Sequence, residues 1–235
     1  MKSVFAITKN VKKFLAGVDN LMRRQKTIPG MMLVFGEPGT GKTRTALWWK
    51  IQNGNGENRI PYVRATRVIT PRALLEQILY ELGETPMWKT SQILQQIKDH
   101  LLLNPRPIIV DEVDYLCRDG FVEVLRDIHD LTDVPIIMIG MAEADKKLMR
   151  FRHLYDRISV IVPFKLLDLE DVKSLAQQML DIKIEDDLLK HITEQSRGKL
   201  RRIITMFYKI ERIAKANKVK VMNLSLFKGD RDEDK

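Results

Sequence analysis

Short, unbroken apolar runs alternate along the first two thirds of this chain with stretches whose apolar residues recur every three or four positions. The runs are Met31-Met32-Leu33-Val34-Phe35, Ile108-Ile109-Val110 and Ile136-Ile137-Met138-Ile139, with further stretches at 60–65 and 157–162. A run without polar alternation predicts a strand covered on both faces, as in a parallel sheet. Between the runs lie helical-period segments with their own punctuation. Residues 8–25 predict a first helix, capped by Thr8 or Asn10, with Val11, Phe14, Leu15, Val18, Leu21 and Met22 on one side. Lys12, Lys13, Arg23, Arg24 and Lys26 make its other side basic, which ordinarily means solvation. Thr70-Pro71 starts a helix that runs to about Leu82 and stops at Gly83. Thr90 or Ser91 opens another, with Ile93, Leu94, Ile97 and Leu101 on its apolar side, ended by Pro105 and Pro107. Asp119 or Gly120 precedes one that reaches about Leu131. Strands and helices in turn, each strand apolar throughout, predict an α/β fold with a parallel five-stranded sheet and helices on both faces.

Past Phe164 the pattern changes. Residues 168–180, 185–195 and 200–216 have helical periodicity, and only Lys218 to Met222 is strand-like. This predicts an α/β domain over 1–163, a small helical lid domain over 164–227, and a polar, unstructured tail over 228–235.

Composition narrows the class. At 235 residues, 44% hydrophobic and 30% charged, the chain suits a soluble globular protein with one main core. No apolar run nears the roughly 18 residues that span a bilayer, so no membrane partner is expected. Met1-Lys2-Ser3-Val4-Phe5 lacks the apolar segment of a secretory signal. A single cysteine, Cys117, excludes an internal disulfide and fits a reducing cytoplasm, bacterial or that of a host if the chain is phage-encoded. His100, His129, His153 and His191 share no metal-ligand spacing. The net charge of +9 suits a polyanionic partner without requiring one.

The chemistry is concentrated in Gly36-Glu37-Pro38-Gly39-Thr40-Gly41-Lys42-Thr43, a complete G-x-x-x-x-G-K-[ST] loop between a predicted strand and a predicted helix. Such a turn aims backbone N–H groups and a helix dipole at one point, and its glycines let the backbone approach a phosphate. Lys42 would bridge the β- and γ-phosphates of ATP, and the Thr43 hydroxyl would ligate Mg²⁺. The strand 108–110 runs into Asp111-Glu112. At the carboxyl end of a parallel strand beside that loop, Asp111 is placed to hold Mg²⁺, and Glu112 to polarise the attacking water.

These motifs resemble those of the AAA+ ATPases. The likeness is also carried by the strand ending at Gly140, by Arg157 in Tyr155-Asp156-Arg157, and by Gly198-Lys199-Leu200-Arg201 in the helical region. Within that family the chain is similar to the transposition-regulator branch of phage Mu protein B and the Tn7-type TnsC regulators. That similarity lies in residues 111–116, 125–130 and 139–143. The resemblance implies Lys42, Glu112, Arg157 and Arg201 as catalytic residues. Arg157, or else Arg150 or Arg152, would reach the ATP of a neighbouring subunit, and Arg201, or else Arg202, would contact the γ-phosphate. Adenine would lie near Val4, Phe5 and Ile7, residues that suit core packing equally well. Where the family carries a polar side chain at the end of the fourth strand, this chain has Gly140-Met141, so slow hydrolysis is expected.

The branch implies homo-oligomers, rings or helical filaments, with double-stranded DNA in the channel held by its phosphates. Arg64, Arg67, Arg72 and Lys89 flank the second strand and the helices after it and suit such contacts; each also suits plain solvation. The function implied is an ATP-dependent, sequence-nonspecific DNA-binding ATPase that delivers target DNA to a transposase. Two other classes are a replication initiator or helicase loader, for which the segment after Ala216 offers no winged helix, and a switch ATPase that binds no DNA.

Overall fold

The structure, a computed structural model, describes residues 4–54, 56–118 and 120–232. Of the positions named above, Met1, Lys2, Ser3, Asp119 and 233–235 lie outside these residues. The chain divides into two compact units, one built from 13–36 and 42–163, the other from the segments up to 12, 37–41 and from 164 onward.

In chain order the first part contains α1 (Lys9–Met22), β1 (Met31–Gly36), α2 (Lys42–Asn53), β2 (Tyr62–Arg64), α3 (Pro71–Glu81), α4 (Thr90–Leu103), β3 (Ile108–Asp111), α5 (Val122–Thr132) and β4 (Ile136–Gly140). Two short helices, α6 (Ala144–Leu148) and α7 (Arg152–Tyr155), precede β5 (Ile158–Phe164). The fold is α/β, with a parallel five-stranded sheet in the order β2-β3-β4-β1-β5 and helices around it. β3 and β4 are buried at every position and β1 at all but one. β2 and β5 are not, which corrects the expectation that every strand is covered on both faces: Arg64, Ser159, Ile161 and Pro163 are exposed. Both strands are edges. Water reaches one side of an edge, and proline there removes no ladder hydrogen bond. The short α6 and α7 left no periodic signal to read.

Local chemistry starts α3 where the sequence places it. The Thr70 hydroxyl accepts the Ala73 N–H at 3.1 Å, and Pro71 takes the first helical position. The register brings the strand ends level. Arg64 pairs with Asp111, Asp111 with Ile139, and Ile139 with Val34, so β1–β4 present their carboxyl ends along one edge of the sheet.

His129 ties β1 and β4 to α5. From the buried ring, Nε2 accepts the Gly30 N–H at 3.1 Å and Nδ1 bonds the Val134 carbonyl at 2.9 Å. His129→Ala leaves two buried backbone groups unpaired. It is expected to cost about 2 kcal/mol, lowering the thermal midpoint by roughly 4–8 °C. A melting curve unchanged from wild type would show that water satisfies both groups.

The smaller unit contains α8 (Leu169–Met179), β6 (Lys183–Ile184), α9 (Asp186–Ser196), α10 (Leu200–Ala216), β7 (Val221–Met222) and α11 (Leu224–Asp232). β6 and β7 pair in parallel, so the strand-like stretch before Met222 has a partner that the sequence did not reveal. α11 occupies 228–232, where an unstructured tail was expected. The reason is Phe227, which lies 1% exposed among Leu188, Ile192, Phe207 and Ile210 and holds the segment as a helix.

The N-terminal segment belongs to this unit, rather than to an α/β domain beginning at residue 1. The Ile7 N–H donates to Gln178 Oε1 at 2.9 Å, and Gln178 Nε2 returns a bond to the Ile7 carbonyl at 3.3 Å. The Lys9 N–H donates to Asp171, and the Asn10 amide exchanges bonds with the Lys165 backbone. The Lys9 ammonium lies 2.6 Å from both Asp168 and Glu170. That pairing raises the Lys9 pKa and, with the Asp171 N–H, lowers that of Asp168. Among the described residues no helix is long and apolar enough to cross a membrane.

Candidate active site

The loop between β1 and α2 is the predicted phosphate loop. Gly39 and Gly41 have φ of +82° and +102°, a region that disfavours any side chain. In the smaller unit, a Cβ at Gly41 would sit 2.8 Å from Leu200 Cδ2, and one at Gly39 would sit 3.7 Å from Lys199 Cβ. The start of α10 therefore touches the loop one residue before Arg201, which is exposed, as is Arg202. The Thr40 hydroxyl donates to the Glu37 carbonyl at 2.8 Å and closes the turn, leaving Glu37 and Pro38 exposed at its tip.

In the larger unit, Lys42 is buried and its Nζ donates to the Gly36 carbonyl at 2.6 Å. The Thr43 hydroxyl donates to Asp111 Oδ2 at 2.8 Å, so two motifs that lie 68 residues apart in the chain meet. Asp111 is 2% exposed. A carboxylate so buried needs donors, and it has two more. The Tyr62 hydroxyl donates to Oδ2 at 2.7 Å and the Glu112 N–H to Oδ1 at 2.8 Å. The Tyr62 pKa is raised, first by burial and then by the bond to Asp111, so the phenol stays a donor. A hydroxyl and a carboxylate side by side are hard oxygen donors, which suit Mg²⁺.

Glu112 leaves β3 in a left-handed conformation, φ 59° and ψ 41°, before a short 3-10 turn over Val113–Leu116. For a non-glycine residue this costs on the order of 1 kcal/mol. Its carboxylate is half-buried and lies 3.2 Å from the guanidinium of Arg64.

At the end of β4, Gly140 is enforced by packing. A Cβ there would lie 2.3 Å from Ala144 Cβ and 2.9 Å from Asp114 Oδ2. Asp114 holds this corner instead, accepting the Met141 N–H at 2.6 Å and lying 3.0 Å from Lys147 Nζ. Its hydrogen bond to Lys147 raises the lysine pKa. Burial pushes the nearby Cys117 thiol up to about 11, so it stays protonated and poorly nucleophilic at neutral pH.

The predicted arginines divide into held and exposed. Arg157 Nε and Nη2 bond the two carboxylate oxygens of Asp130 at 3.1 and 2.9 Å, and Nη1 donates to the His153 carbonyl at 2.8 Å. Arg150 and Arg152 are exposed and, with Arg126 and His153, line one shallow cavity. Among the DNA candidates, Arg64 is 65% exposed but reaches Glu112, and Arg67 is exposed. Arg72 is tied to Glu76 at 2.7 Å and to the carbonyls of Trp88 and Met87. Lys89 is exposed just before α4, its N–H bonded to the Gln92 side chain. Tyr62 and Asp114 are the residues that sequence reasoning passed over. The available signal was weak: for Tyr62, a phenol in a strand-like stretch, two positions before Arg64.

A protein-family model described as an AAA domain matches residues 25–148. A potential ATP-binding protein of Staphylococcus aureus is 24% identical, over 97% of this chain and 95% of its own. An ORC1-type DNA replication protein of Archaeoglobus fulgidus is 23% identical, over 69% of this chain and 44% of its own, so the match spans less than half of that relative. The Aeropyrum pernix ORC1 protein, solved in complex with DNA, superposes with a TM-score of 0.68 at 17% identity, over 99% of this chain and 66% of that one. Sheet order, phosphate loop, acidic strand end and family match agree: the chain belongs to the AAA domain family of AAA+ ATPases.

Proposed function

We propose that the protein binds and hydrolyses Mg²⁺-ATP, assembles as a homo-oligomer on double-stranded DNA without sequence preference, and presents that DNA to a transposase. The observation that carries the ATPase reading is the meeting of Thr43 with Asp111, next to buried Lys42 and beside Glu112. The backbone of 36–43 and the Lys42 ammonium bind the phosphates. Thr43 and Asp111 would hold Mg²⁺, which when bound neutralises developing phosphate charge. Glu112 takes a proton from the water that attacks the γ-phosphorus as the bond to ADP breaks. The sequence resemblance assigns Arg201 to the γ-phosphate. Arg150 or Arg152, whose side chains are exposed, serves better than Asp130-bound Arg157 as the arginine reaching a neighbouring subunit.

The DNA part rests on exposed Arg64 and Arg67, on the positive net charge, and on similarity to a protein solved with DNA. The transposase rests on the sequence resemblance in 111–116, 125–130 and 139–143. A replication-initiator role is the second reading, favoured by the ORC1-type relatives.

Fluorescence anisotropy with random-sequence duplex, in ATP, ADP and no nucleotide over a salt series, tests the DNA reading. Binding that needs ATP and weakens with salt is expected. The double variant Arg64→Ala, Arg67→Ala should flatten the log–log salt slope by roughly 2, about one for each lost phosphate contact. No binding in any nucleotide state would overturn the reading in favour of a switch ATPase. A transposase that stimulates hydrolysis, rather than a helicase that does so, separates the transposition role from the initiator.

A further inference from the structure

We infer that Tyr62 is a positioning residue of the metal site, holding Asp111 in place to receive Mg²⁺. The inference rests on the Mg²⁺-ATP reading of Thr43 and Asp111.

Oδ2 of Asp111 accepts from both Tyr62 at 2.7 Å and Thr43 at 2.8 Å, while Oδ1 accepts the Glu112 N–H. Two donors fill the in-plane lone pairs of Oδ2. The carboxylate is thus fixed in rotation by groups from β2, from the start of α2 and from its own chain. With Oδ2 occupied, Asp111 offers an incoming cation, or a water upon it, the remaining capacity of Oδ1.

Tyr62 is itself pinned, as a positioning group must be. Its N–H donates to Glu81 Oε2 at 3.1 Å, and the same oxygen lies 2.6 Å from Lys50 Nζ. Lys50 also lies 5.6 Å from the centre of the Tyr62 ring, over its face. The last turns of α2 and α3 thereby seat the strand residue whose hydroxyl reaches the metal carboxylate. A phenylalanine would keep the ring, the packing and the contact with Lys50, and would remove only the bond to Asp111.

The test is Tyr62→Phe, read by binding of the fluorescent analogue mant-ATP, first in EDTA and then titrated with Mg²⁺. Loss of a group that orients a metal ligand costs roughly tenfold or more in metal affinity. The Mg²⁺ concentration for half-maximal effect should therefore rise about tenfold, while affinity in EDTA stays at the wild-type value. A tyrosine that served only the fold would shift both or neither. Glu81→Gln is the second variant. It keeps the hydroxyl but loosens its seat, and a smaller shift in the same direction is expected. Wild-type Mg²⁺ dependence in Tyr62→Phe, or an equal loss in EDTA, overturns the inference and leaves the ATPase reading standing. A wild-type protein whose nucleotide binding ignores Mg²⁺ overturns that reading, and the inference with it.

Discussion

Replacing Glu112 with glutamine is expected to lower the rate of ATP hydrolysis by at least about a hundredfold while leaving nucleotide affinity within a few-fold of wild type. The two side chains have nearly the same shape, so the left-handed backbone at 112 and the Glu112 N–H bond to Asp111 are retained. The amide oxygen can still accept from Arg64, which now lies 3.2 Å from the carboxylate. What disappears is the negative charge and the ability to take a proton. Lys42, Thr43 and Asp111 are untouched, so binding of mant-ATP is the control. Phosphate release measured beside it decides the outcome. Activity within a few-fold of wild type would remove Glu112 as the base and point to Asp114, the next carboxylate along the chain.

How much of this site could be read from the sequence depends on whether each contact is local in the chain. The phosphate loop is a contiguous motif with a fixed geometry. Asp111-Glu112 is announced by the apolar strand that carries it. The start of α3 at Thr70-Pro71 is chemistry among neighbouring residues. Tyr62 has no such signature, because its role arises only when β2 pairs with β3 and places residue 62 near residue 111. The occupation of Arg157 by Asp130 is equally non-local, joining the start of β5 to α5. In the smaller unit the periodicity of α8, α9 and α10 was legible, whereas β6, of two residues, was too short to register. α11 was hidden by its polar composition, because a single buried phenylalanine anchors it.

Giving β4 a polar terminal side chain should damage this protein. Gly140→Asn is expected to destabilise the fold by about 3 kcal/mol, a fall of roughly 6–12 °C in the thermal midpoint. The new Cβ would arrive 2.3 Å from Ala144 Cβ, far inside contact distance, and 2.9 Å from Asp114 Oδ2. Either α6 must move outward, or Asp114 must release the Met141 N–H, and with it Lys147. Adding Ala144→Gly removes the closest clash and should restore part of the loss, which distinguishes crowding from a general intolerance of polarity. Should the single variant melt with wild type, the corner yields more easily than its packing indicates, and glycine there is not enforced.

The way the N-terminal segment is held bears on the timing of synthesis. Ile7, Lys9 and Asn10 have partners 155–171 residues downstream, in Lys165, Asp171 and Gln178. At ribosomal speeds of roughly 5–20 residues per second, those partners emerge on the order of 10–30 s after the segment itself. By the end of that interval every strand of the large sheet up to β4 is available to pair, while Ile7, Lys9 and Asn10 still wait for their partners. The nascent chain thus completes its smaller unit last, by closing a loop of 155–171 residues, and a stall anywhere between β4 and α8 leaves the N-terminal end of that closure exposed.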